Sequence, residues 1–159
     1  MSLLALNPIG VIHSPFREAP GTPIQPTFAK DAEGTVEVFP DYAAGLSDLA
    51  GFDRIWLVYC FDRAGPARLR VVPFRDTGER GIFATRAPCR PNAIGLSCVR
   101  LRSIAGNVLT IAMVDILDAT PLLDIKPYVP EFDAYPQSRA GWLDKTPANR
   151  TQADNRFNM

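Results

Sequence analysis

Fifteen prolines spread through 159 residues constrain this chain more than any other feature of its sequence. Each proline fixes φ and removes a backbone donor, so it breaks helix interiors and is barred from central strands. Short strands separated by turns are what such a chain can build. The apolar pattern agrees. Residues 9–13 form a short apolar run closed by Ser14 and Pro15, and in residues 35–39 the alternation puts Val36 and Val38 on one face. Residues 54–61 are a nearly continuous apolar run rich in aromatic and branched side chains, which predicts a buried strand with Trp56 and Cys60 in the core. In residues 98–104, Val99 and Leu101 share one face and Arg100 and Arg102 the other, and Ala105-Gly106 turns the chain into a further strand over 107–117. Residues 68–72 and 82–85 add shorter strands. The single helical pattern, over 42–50, sets Tyr42, Leu46 and Leu49 at three- and four-residue spacing and is interrupted by Gly45. Many short strands with turn signals predict a mainly β fold, a barrel or a sandwich.

The size suits one domain with one sizeable core. Formal net charge is zero, so charge over the whole chain argues neither for nor against a nucleic-acid partner. The local distribution is uneven. Residues 63–102 hold nine arginines against Asp76 and Glu79, whereas residues 115–133 hold five acids against Lys126. The basic stretch either meets a phosphate backbone or pairs with the acidic one. Three cysteines without Cys-x-x-Cys spacing, and His13 as the only histidine, argue against a zinc site and a histidine-based nucleophile system. Cys89, between Pro88 and Arg90, is expected to be partly exposed. No apolar run approaches membrane-spanning length and no leader pattern opens the chain, so a soluble cytoplasmic protein without a membrane partner is expected. Residues 144–159 are polar and aperiodic, a C-terminal tail expected to be mobile or draped over a partner.

Two segments carry chemistry. In residues 85–97, Pro88 and Pro91 stiffen a loop that presents Arg86, Arg90 and Asn92 in fixed directions. It is a polar clamp or a connector whose arginines pair locally. In residues 115–130, Asp118 and Thr120 fall in a tight turn, and Asp124 and Lys126 share one face of the strand that follows. Neither a G-x-G-x-x-G after a strand nor a P-loop is present, so a nucleotide-like ligand would be held by loop backbone and strand-end side chains.

Four blocks in order, IGVIHSPF at 9–16, GFDRIW at 51–56, GIFATR at 81–86 running into the arginine loop, and the aspartate-rich segment, resemble the TsaA-like family of tRNA methyltransferase O over residues 9–133. The resemblance implies a compact antiparallel β-barrel with one or two short helices, spanning residues 1–143, that binds S-adenosylmethionine and forms a homodimer. It implies cofactor contacts from Gln25, Pro26 and Thr27, from Asp62 and Arg63, from Arg86 and Leu96, and from the turn of Asp118, Ala119, Thr120 and Pro121. Arg90, Asn92, Lys126 and Tyr128 are the candidate substrate-binding residues. No metal site and no general base are indicated.

The chain departs from the family pattern in places. Ala119 stands where glycine is usual, Ala93 where proline is, and Asp62-Arg63 where histidine-glutamine is common. The implied activity is N6-methylation of threonylcarbamoyl-adenosine beside the tRNA anticodon. Several family members carry a further C-terminal domain, and this sequence stops shortly after the matched region. Methylation of another small acceptor, or a non-catalytic S-adenosylmethionine sensor, therefore stand as alternatives.

Overall fold

A computed structural model describes residues 3–147 and 149–158. Six strands close into an antiparallel barrel in the order β1 (Gly10–His13), β2 (Glu33–Val38), β7 (Val108–Ala112), β6 (Ile94–Ala105), β3 (Arg54–Cys60) and β8 (Thr120–Pro127), with β8 returning to β1. The short strands β4 (Arg70–Val71) and β5 (Arg80–Gly81) form a separate two-stranded ribbon. The barrel interior follows from strand parity. Ile55, Leu57 and Tyr59 of β3, Val99 and Leu101 of β6, Val36 and Val38 of β2, and Leu109 and Ile111 of β7 all point inward and are buried. Each fully buried branched side chain contributes roughly 1.5–3 kcal/mol.

The same parity moves Trp56 and Cys60 out of the core, where the apolar run alone had placed them. Both lie on the outward face of β3, and the Trp56 indole donates to Asp133 at 3.3 Å and packs against Tyr128. Residues 42–50 are not α-helical. They form two short 3-10 segments, Pro40–Leu46 and Leu49–Gly51, separated at Asp48, whose φ of 68° stops helix propagation. Ile82–Ala84 is likewise a 3-10 turn and not a strand. The strand after Gly106 ends at Ala112, because Met113 takes a φ of 63°. Among the described residues the one α-helical segment, Pro130–Asp133 (α1), is a single turn.

A second small core lies beside the barrel. Val71, Ile82, Ala87 and Cys89 pack there around Phe157, and Cys89 is 1% exposed, not partly open as its neighbours suggested. Phe157 comes from the polar tail, which folds back on its own chain. The Ile24 N–H donates to the Thr151 carbonyl, Gly21 to Ala153, and Ala153 back to Thr22, with a bridge between Pro23 and Gln152. Arg156 donates to Asp154 and to the Val72 and Pro73 carbonyls. The sequence reading missed this return because one aromatic carries it.

Candidate ligand cavity at the barrel end

A cavity of about 300 Å³ opens where the ends of β3 and β6 meet the arginine loop, the turn before β8 and the folded-back tail. Its floor is polar. Tyr59 on β3 and Ser97 on β6 are inward-facing and buried, and their hydroxyls are 2.9 Å apart. The Ser97 hydroxyl donates to Asp115 Oδ1 at 2.6 Å. Gly95 is what makes room: it pairs with Tyr59 across the β3–β6 ladder, and any side chain there would enter the Tyr59 ring. Burial pushes the Asp115 carboxyl up to about 7, against the opposing Ser97 hydrogen bond and the charge of Arg86. Burial and then Asp115 push the Tyr59 phenol well up, so it stays protonated.

The walls carry the charges. Arg86 is exposed to the cavity, and its Nη1 donates to Gln25 Oε1 at 2.7 Å, which aims the guanidinium without neutralising it. Arg63 donates to Thr120 Oγ1 at 3.0 Å and to Asp62 at 3.2 Å, and Thr120 in turn donates to the Leu117 carbonyl. Arg90 Nη1 donates to the carbonyls of Ile82, Thr85 and Ala87, so this arginine braces the loop that carries Arg86. Ile94 and Leu96 supply apolar rim surface and are 42% and 49% exposed. Phe157 and Asp154 of the tail close the far side. Such a cavity, with a free cation, a free carboxyl and an apolar edge, suits a small zwitterionic ligand with a flat apolar part.

Of the residues singled out in the sequence, Gln25, Asp62, Arg63, Arg86, Arg90, Leu96 and Thr120 line this cavity. Pro26 and Thr27 belong to the 3-10 turn Pro26–Phe28 beyond Gln25. Asp118 turns the other way: its Oδ1 accepts from the Ser14 N–H at 3.1 Å and lies 3.4 Å from His13 Nδ1, contacts that lower its pKa. Ala119 sits in the left-handed region at φ 63°, a conformation that glycine adopts without strain. Pro121 pairs with Val11 in the ladder. Asn92 is exposed on the loop before β6. Lys126 and Tyr128 are not brought to the cavity. Lys126 lies down β8 from Thr120 by roughly 20 Å at strand rise, where it pairs with Asp124, and Tyr128 follows just past the strand and packs on Trp56.

Tyr59, Ser97, Asp115 and the tail residues are cavity features the sequence reading did not select. For Ser97 a signal existed, a hydroxyl in register with Val99 and Leu101 on the buried face. Among the described residues, none of the nine arginines of 63–102 forms an ion pair with an acid of 115–133. No group able to hold a metal ion occurs among the described residues.

A family model described as the tRNA-methyltransferase O N-terminal domain matches residues 11–134. The chain belongs to the tRNA-methyltransferase O family. A "Probable S-adenosyl-L-methionine-binding protein" of Pyrococcus abyssi is 53% identical over 157 residues, 98% of this chain and 85% of that protein. The tRNA (adenine(37)-N6)-methyltransferase of Escherichia coli is 35% identical, over 93% of this chain and 67% of the enzyme. A crystal structure of TrmO from Pseudomonas aeruginosa superposes with a TM-score of 0.75 at 39% identity, covering 88% of this chain. The chain spans 62% of that solved chain. Within the tRNA-methyltransferase O family match lie both the arginine loop and the turn before β8, the two segments that meet at the cavity.

Proposed function

We propose that this chain is an S-adenosylmethionine-dependent methyltransferase that modifies N6 of threonylcarbamoyl-adenosine in the tRNA anticodon loop. The observation that carries the reading is Arg86, held by Gln25 at the wall of a cavity with an apolar rim and a polar floor. The donor set fits the cofactor. Arg86 suits its carboxylate, Thr120 and Asp62 suit ribose hydroxyls, and Ile94 and Leu96 suit the faces of the adenine. When bound, S-adenosylmethionine supplies a methyl group activated on a sulfonium. The chain's own part is positioning: Arg90 fixes the loop, Arg63 ties Thr120 to the end of β3, and the tail seals one side against water.

The basic stretch supports a polynucleotide acceptor. Arg63 and Arg86 reach the cavity, and although Arg63, Arg70, Arg80 and Arg102 pair with acids elsewhere, among the described residues none of the arginines of 63–102 is taken up by the acidic segment. In this reading the protein works in the cytoplasm as a homodimer. Sedimentation equilibrium giving only the monomer mass at high concentration would remove the dimer from it.

The test is transfer of a radiolabelled methyl group to total tRNA from a strain lacking its own enzyme. Label is expected there, and none on tRNA lacking the threonylcarbamoyl group. Activity should fall steeply as salt rises. Cofactor binding without RNA labelling at low salt would hand the site to a small acceptor or to a sensor.

A further inference from the structure

Among the described residues three carboxyl groups line the cavity, and two already have cations. Asp62 takes Arg63 at 3.2 Å, and Asp154 takes Arg150 and Arg156, each at 2.7 Å. Asp115 has none. The one side chain that donates to it is the Ser97 hydroxyl, itself fixed by Tyr59. The cations sort the same way. Arg63 is matched by Asp62, Arg90 is taken up by three carbonyls, and Arg86 meets only the neutral amide of Gln25. The cavity therefore offers one open cation and one open carboxyl, the complement of an α-amino-acid zwitterion.

We infer that Asp115 receives the α-ammonium group of the bound cofactor while Arg86 takes its carboxylate. This rests on the cofactor reading above and replaces Asp118, whose carboxyl is spent on Ser14 and His13. The groups facing Asp115 are Tyr59 from β3, Ser97 from β6 and Arg86 from the loop after β5. Arg86 alone of these is charged at neutral pH. An ammonium would compensate the desolvation that keeps the free carboxyl largely protonated below pH 7. Binding must then expel the Asp115 proton.

The test is calorimetric titration of the full chain with S-adenosylmethionine at pH 6 and pH 7, in two buffers of unlike ionisation heat. The ligand amine stays mostly protonated at both. Proton release is expected at both, larger at pH 6 than at pH 7, with tighter binding at pH 7. Asp115→Asn should abolish the release and weaken binding at pH 7 about ten-fold or more. Ser97→Ala keeps the carboxyl but removes a contact that lowers its pKa, so release at pH 7 should exceed that of the parent. 5′-Methylthioadenosine, which lacks the amino-acid end, should bind without release.

Release that survives Asp115→Asn, or that methylthioadenosine reproduces, overturns the assignment. So does an Asp115→Asn variant that binds like wild type but transfers no methyl, which would move Asp115 to the acceptor side. If the unaltered chain binds no S-adenosylmethionine at all, the cofactor reading falls with it.

Discussion

Gly95 on β6 and Tyr59 on β3 are cross-strand partners, and the absent side chain of the first is the space the ring of the second occupies. Because Tyr59 also holds Ser97, a single glycine sets the floor of the cavity. Gly95→Ala should cost roughly 1–3 kcal/mol through overpacking and should disturb ligand binding as well. Urea unfolding and ligand titration measure the two effects. An alanine variant as stable as the parent would show that Tyr59 can rotate away freely.

Arg86→Ala should weaken S-adenosylmethionine binding by roughly 1.5–3 kcal/mol, the worth of a hydrogen bond to a charged group. Gln25→Ala, which only releases the guanidinium, should cost less, about 0.5–1.5 kcal/mol. Calorimetry ranks them. A larger effect at Gln25 than at Arg86 would mean that the amide, and not the cation, contacts the ligand.

Stability should fall as pH rises from about 4 to about 7, on account of Asp115. Its folded pKa of about 7 lies above the ordinary 3.8, so the folded chain binds the extra proton across that window and loses the benefit as the pH climbs. Asp154, held near 2 by Arg156, acts with the opposite sign and only below that window. Melting temperatures of the parent and Asp115→Asn, read from pH 4.5 to 7.5, should diverge in slope, with the parent declining more steeply. Parallel curves would count against a raised Asp115 pKa.

Ala119→Gly should leave the fold intact and raise stability by a few tenths to about 1 kcal/mol. The left-handed φ of 63° strains alanine, and glycine relieves that at some entropic cost in the unfolded chain. Denaturant midpoints decide the sign.

Phe157→Ala should destabilise by about 3–5 kcal/mol, since its ring is 3% exposed and lies 4.8 Å from that of Phe74. It should also weaken ligand binding, because the same ring lines the cavity. A variant with unchanged stability would mean that the tail is not docked in solution.

Strand-level features were readable because period-two alternation is a local property. Val36 with Val38, and Val99 with Leu101, needed nothing beyond their own neighbours. Trp56 shows where that reading runs out: in an apolar run without alternation, only closure of the barrel tells inside from outside. The arginine loop and the turn before β8 were legible as polar, rigid segments. The Asp115–Ser97–Tyr59 floor was not, because its members come from three separated stretches and owe their chemistry to burial. Arg90 and Arg86 look alike in sequence, yet one is a brace and the other a free charge, a difference set by where three carbonyls happen to point. The tail offered a single ring, Phe157, too little for any pattern.

Closure of the barrel has a temporal side. β1 finds one neighbour in β2 nearby, but its other edge waits for β8, with Gly10 opposite Leu122. On the ribosome, most of the chain must therefore be made before that edge is covered. Pairing across such a separation is slow compared with a hairpin, and an uncovered strand edge is a template for other chains. The finished ring has no such edge, so the period of exposure to misassembly ends only when β8 docks.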